Sequence, residues 1–379
     1  MNAAVCSGYD LDEILSQIDH HIESGLRPSL AIVFCSPVQD SPSLCTALLD
    51  RGLSVVGATT AGEIAGAEVL EGGCTVMLWA SDLDHTLVWG EARADGESME
   101  AVAERLGRAA ADRFADPVVF VFASGLATDG ESVVRGLERG AGGTVPLYGG
   151  LAADDMRVVE TRVFADGSTY SDGIAALVLD RSRYHVEGLV SSGWEGVGIA
   201  KTVTRSEGNV VYELDGECVL DVYSQYFDLG DLRSGDVNVT LEIGVQYPLS
   251  VGRDDGTTVI RAPLMADPEA GSLIFAGGVP EGARVRFCIP PSLDIVQSVM
   301  EEAGVLRTRS PEADAVVLVS CKARHTALGP IMQDEIEGLH EVWDAPMAGY
   351  FSYGEIGGPA GACDFHNETC TLVTVRERA

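Results

Sequence analysis

The chain has 379 residues, 46% of them hydrophobic, which suits packed cores in more than one domain and excludes general disorder. Fifty-eight acids face 25 bases, and Lys201 and Lys322 are the only lysines, so nucleic acid and membrane surfaces are poor partners for so acidic a chain. No apolar run nears the ~20 residues of a bilayer span, the N-terminus lacks a secretory pattern, and nine scattered cysteines without C-x-x-C indicate neither a disulfide frame nor zinc. A reduced, cytoplasmic setting is expected.

The first predicted element is a helix in "DLDEILSQIDHHIES", with Leu11, Ile14, Leu15, Ile18 and Ile22 on one face. The strand "PSLAIVFCSP" (28–37) follows. Next comes a helix from Ser41 to Gly52 with Pro42 in its first turn, then "GATTAGEI" (57–64) and the strand "GCTVMLWAS" (73–81). The order then repeats. A helix in "ESMEAVAERLGRAAADRF" precedes "PVVFVFASG" (117–125), a helix in "DGESVVRGLERG", "VPLYGGLAADD" (145–155) and "DGIAALVLD" (172–180). Residues 184–290 break the pattern with short β-branched and aromatic runs such as "GNVVYEL" and "ARVRFCI" around one helix candidate, "GECVLDVYSQYF". The third copy runs from "SLDIVQSVMEEAGVL" through "DAVVLVSCKAR" (314–324) and a helix near 329–343 to "GYFSYGEI" (349–356) and "ETCTLVTV" (368–375). These spacings predict an α/β protein of three αβαββ units near 10–82, 96–180 and 291–376, with a mainly β insert and two domains.

"GATTAGEI" and "GYFSYGEI" share both glycines and the Glu-Ile pair. Each should sit at the carboxyl end of a strand, where α/β sheets hold ligands. Glycine permits a sharp bend and close approach of a ligand, and the next glutamate sets a carboxylate beside exposed N–H groups. Glu63 and Glu355 are therefore candidates to pair with a ligand ammonium; a turn glutamate in an internal bond is the competing reading. In the second copy Asp154 or Asp155 takes that part. Thr59 and Thr60 offer hydroxyls, Tyr350 and Tyr353 could wall a pocket around Gly354, and Trp194 could line a cleft. Arg324 could clasp a carboxylate bidentately, and with Glu355 would complement a zwitterion. No phosphate-binding glycine motif occurs.

At these positions the chain resembles the FIST family of sensory domains in intracellular signal-transduction proteins. "VVGATTAGEI" and "LYGGLAADD" match its N-terminal part, and "VLVSCKAR", "GYFSYGEIG" and "HNETCTLV" its C-terminal part, from about Pro28 to Val375. The resemblance implies an N-terminal helix (1–27), a FIST N-like domain (28–215) and a FIST C-like domain (216–379). It also implies a small-ligand sensor with amino acids as the ligand class; a signalling partner in trans is expected, and the residues themselves point to no metal or cofactor. Asn367 and Thr369 are family positions expected to bond turn backbone. Two other classes compete: a hydrolase or transferase using Cys321 with His325, and a ligand-independent adaptor.

Overall fold

A computed structural model describes residues 2–378 apart from 93–95, 127, 228–231, 233–237, 254–255, 290–293 and 359–362. The three units are present, each larger than the sequence reading. In each, a first strand (Leu30–Cys35, Pro117–Ala123, Ala315–Cys321) lies parallel to a second (Ser54–Thr59, Leu147–Leu151, Met347–Ser352). The first strand is also antiparallel to the unit's last strand (Cys74–Ala80, Gly173–Asp180, Cys370–Glu377). An edge strand not read from sequence closes each sheet beside that last strand: Asn2–Gly8, His85–Glu91 and Tyr184–Ser191. These segments lack a continuous apolar run because they lie at an edge.

The other edge is completed by a neighbour. After its second strand each unit sends out a hairpin that joins a different sheet. Residues 63–70 of the first unit pair with Met347–Ser352 of the third. Residues 163–170 of the second pair with Ser54–Thr59 of the first, and Glu355–Gly357 of the third, itself paired with Asp364–His366, joins Leu147–Leu151 of the second. The exchange is cyclic, and all three six-stranded sheets have the same order.

Alternation along the strands explains the packing. Inner faces from all three sheets share one central core, in which Phe34 stacks on Tyr350 at 4.8 Å and Phe122 packs against both. Outer faces bury against each unit's own helices: Leu11–Glu23 and Ser41–Asp50, Met99–Arg113 and Gly130–Ala141, Ile295–Arg309 and Ile331–Trp343. The insert forms a separate sheet with its own core around the helix Val219–Phe227. It is tied to the ring by Arg261 and Arg253, which both reach Glu131, and Arg253 also holds Asp364 at 2.8 Å. No helix among the described residues is long and apolar enough to cross a membrane.

One constraint explains the shared first glycine of the echoed motifs. A Cβ on Gly57, Gly149 or Gly349 would stand 1.9 Å from the carbonyl oxygen of Val33, Val121 or Leu318 on the adjacent parallel strand. Nothing but hydrogen fits. Gly349→Ala should therefore destabilise the protein by about 3 kcal/mol or more in urea unfolding. Gly143→Ala, where the added carbon meets nothing within 4 Å, should change stability by less than about 0.5 kcal/mol.

Candidate functional site

The echoed motifs are the points where the chain leaves one sheet for the next, and they meet. Ala61 N–H donates to Phe351 O and Phe351 N–H to Gly62 O; Leu151 N–H donates to Gly354 O and Ala153 N–H to Thr59 O. The three corners thus form one hydrogen-bonded ring at the strands' carboxyl ends.

The two echoed glutamates serve as internal latches. Thr60 donates its hydroxyl to Glu63 Oε1, and Gly73 N–H donates to Oε2 at 2.9 Å. In the same places of the third unit Ser352 donates to Glu355 Oε1, while Thr369 gives Oε2 its N–H at 3.3 Å and its hydroxyl at 2.8 Å. Each carboxyl fastens the bend to the start of the unit's last strand. Both are fully buried, and loss of hydration pushes both up to about 8, outweighing the bonds that favour the ionised form.

The predicted zwitterion clamp does not form. Arg324 is buried, but its guanidinium grips Glu335 through Nε at 3.1 Å and Nη2 at 2.6 Å, and Nη1 donates to Ser192 O. The helix Ile331–Trp343 carries Glu335 on its buried face and so reaches Arg324 before Glu355 can. Tyr350, expected at a pocket wall, is buried in the central core because its place on the strand points inward. Tyr353 donates to Asp154 Oδ1 at 2.5 Å. The Asp154 carboxylate also collects the N–H groups of Val158, Val159 and Glu160, fixing the loop after the second corner. Thr59 bonds both backbone groups of Arg162, seating the incoming hairpin. Gly354 packs against the Phe365 ring, 2.3 Å from where a Cβ would lie.

Cys321 is buried, and burial beside Glu355 and Glu368 raises its thiol well above the ordinary range. The His325 ring stacks on Phe351 at 4.2 Å, and its Nδ1 lies 3.1 Å from Lys322 Nζ. Burial first and Lys322 second bring His325 down to about 4. The two do not form a nucleophile–base pair of the kind acyl transfer needs. Cys35 and Cys74, directly opposed across the strand pair, form a disulfide that the scattered spacing had not indicated.

Residues 29–217 match the FIST N domain and residues 220–358 the FIST C domain. The chain belongs to the FIST family. That family comprises sensory domains of signal-transduction proteins. An uncharacterized protein of Mycobacterium bovis is 25% identical over 60% of this chain and 59% of its own length. An uncharacterized protein of Mycobacterium tuberculosis gives the same figures, so the match spans about three-fifths of those relatives. A second uncharacterized Mycobacterium tuberculosis protein is 24% identical over 84% of this chain and 82% of its own length.

Within this FIST chain the third corner departs from the others. Register aligns Glu368 with Gly72 of the first unit and Asp172 of the second. Gly72 has φ +83°, and Glu368 holds a similar left-handed φ of +56° without being glycine. Its side chain is 0% exposed, and among the described residues neither carboxylate oxygen has a hydrogen-bond partner. Burial and the neighbouring Glu355 raise its carboxyl well above the usual range. Asn367, expected to bond turn backbone, is equally buried with its Oδ1 unpartnered. Within "HNETCTLV" the signal that marks Glu368 is a glutamate where the sister corner has glycine. Cavities among the described residues lie elsewhere. One of about 490 Å³ in the insert is lined by Lys201, Glu217, Val222, Gln225 and Tyr226, and one of about 350 Å³ includes Tyr9, Glu13, Glu68 and Gln333.

Two outcomes follow from these geometries. A carboxyl whose folded pKa lies above its unfolded value gives stability that is complete below about pH 4.5 and is lost as pH rises toward about 8. The unfolding free energy from urea titration should therefore fall across that window, by up to about 1.4 kcal/mol per pH unit for each group, and Glu63→Gln and Glu355→Gln should each flatten the profile. Arg324→Met should cost about 3–5 kcal/mol by stranding Glu335, and adding Glu335→Leu should recover most of it.

Proposed function

We propose that this FIST chain is a non-catalytic cytoplasmic sensor that binds a small polar ligand, an amino acid or a related metabolite, and signals to a partner protein in trans. The sensory character of the family supports the reading. The observation that carries it is the ring of corners, in which every bend is hydrogen-bonded to a bend of another unit and each hairpin completes another unit's sheet. A ligand that favours one arrangement at a single corner biases the others, and through the Glu131–Arg261 and Asp364–Arg253 pairs it biases the insert. Against the Cys321 enzyme reading stand the full burial of the thiol and the stacking of the His325 ring on Phe351.

Thermal melting of the full chain against a panel of the common amino acids at millimolar concentration is the direct test. At least one should raise Tm in a saturable way, by about 2.7 kcal/mol of stabilisation at a hundredfold excess over Kd. Affinity capture of a partner should then change in yield when that compound is added. A flat panel combined with capture indifferent to every compound would favour the adaptor.

A further inference from the structure

The interior around the third corner holds more acid than base. Glu335, Glu355 and Glu368 surround one guanidinium, that of Arg324, and all four side chains are buried. Arg324 is already neutralised by Glu335. Glu355 spends both oxygens on Ser352 and Thr369. Glu368 is left with two bare oxygens, close enough to Glu355 and Arg324 for their charges to act on it, and its own charge acts on Cys321. Cys288 also feels its charge. A buried carboxyl with neither oxygen partnered is costly, so its presence at this turn needs a reason beyond folding. The sister position shows that folding alone is served by glycine, since Gly72 makes the same bend with no side chain.

We infer that Glu368, with Asn367 beside it in the same buried turn, is the receptor for the ammonium group of a small amine ligand. The inference rests on the sensor reading and assigns which end of the ligand is read. Glu368 Oε1 and Oε2 and Asn367 Oδ1 are three unpartnered oxygens on adjacent residues, and a primary ammonium brings three N–H donors and a positive charge; on binding, the Glu368 carboxyl gives its proton to solvent and ionises against that charge. An anionic group meets the opposite situation, because Nε, Nη1 and Nη2 of Arg324 are committed to Glu335 and Ser192. A metal ion suits the corner less well, since no three His, Cys, Asp or Glu side chains gather as a metal set among the described residues. The turn at 192–194 packs against this corner. Ser192 Oγ donates to Glu368 O at 3.2 Å, Gly193 has φ +75°, and the Trp194 ring lies 5.5 Å from the Arg324 guanidinium. Entry of the amine requires that turn to lift, so Trp194 reports occupancy.

The test pairs each amino acid with its N-acetyl derivative, measured by thermal melting and Trp fluorescence on wild type, Glu368→Gln and Glu368→Gly. The glycine variant reproduces the first unit's turn and guards against misfolding of the other. A free amine should bind wild type, its N-acetyl form should bind at least tenfold more weakly, and both variants should lose at least tenfold in affinity while remaining folded. Equal binding of the acetylated form, or binding unchanged in both folded variants, overturns the inference and leaves the sensor reading intact. A wild-type chain that binds neither form of any compound removes the sensor reading, and this inference with it.

Discussion

Everything in this protein depends on the exchange of hairpins among three sheets. A strand at a sheet edge presents unpaired N–H and C=O groups, and each unit by itself would leave such an edge beside its second strand. The edge is satisfied by a hairpin from another unit, and because the donation runs round a closed cycle no unit is completed by its own chain. The inner faces of the completed sheets then bury one shared aromatic and aliphatic core. Local β pairing and global shape are in this way one event.

The polar chemistry of the corners follows from that exchange. A chain that turns out of one sheet and into another leaves buried backbone groups at the bend, and the hydroxyl–carboxyl latches at Thr60–Glu63 and Ser352–Glu355 satisfy them. Such groups look like ligand donors in sequence because the same chemistry, a carboxylate beside bare amides, serves both purposes. What separates the two uses is satisfaction. Glu63 and Glu355 have hydrogen-bond partners; among the described residues Glu368 has none. The departure from threefold equivalence is thus more informative about ligand chemistry than the equivalence itself, which is explained by folding.

Much of the architecture was legible in the sequence. The continuous apolar runs at 30–35, 117–123 and 315–321 gave the central strands, and the echoed motifs gave the repeat, because buried parallel strands and sterically forced glycines leave strong residue signatures. The half-exposed edge strand His85–Glu91 was not legible, nor was the destination of the hairpins, since a three-residue strand such as Glu63–Ala65 records that it pairs but not with whom. The partner of Arg324 was hidden for a related reason. Glu335 lies on a helix whose buried face is otherwise apolar, and an isolated acid there reads as solvent-facing until tertiary packing is known. Glu368 could have been found by aligning the last strands of the units, where it faces glycine.

The closed cycle also governs how the molecule can be divided. A cut between the FIST N and FIST C parts would strip Glu355–Gly357 and Asp364–His366 from the second sheet and both residues 63–70 and Tyr184–Ser191 from the third, baring three raw margins and opening the common aromatic centre to water. Neither half is an autonomous building block. Evolution or engineering can append modules to such a ring, or lengthen its insert, more easily than it can shuffle the ring's own parts.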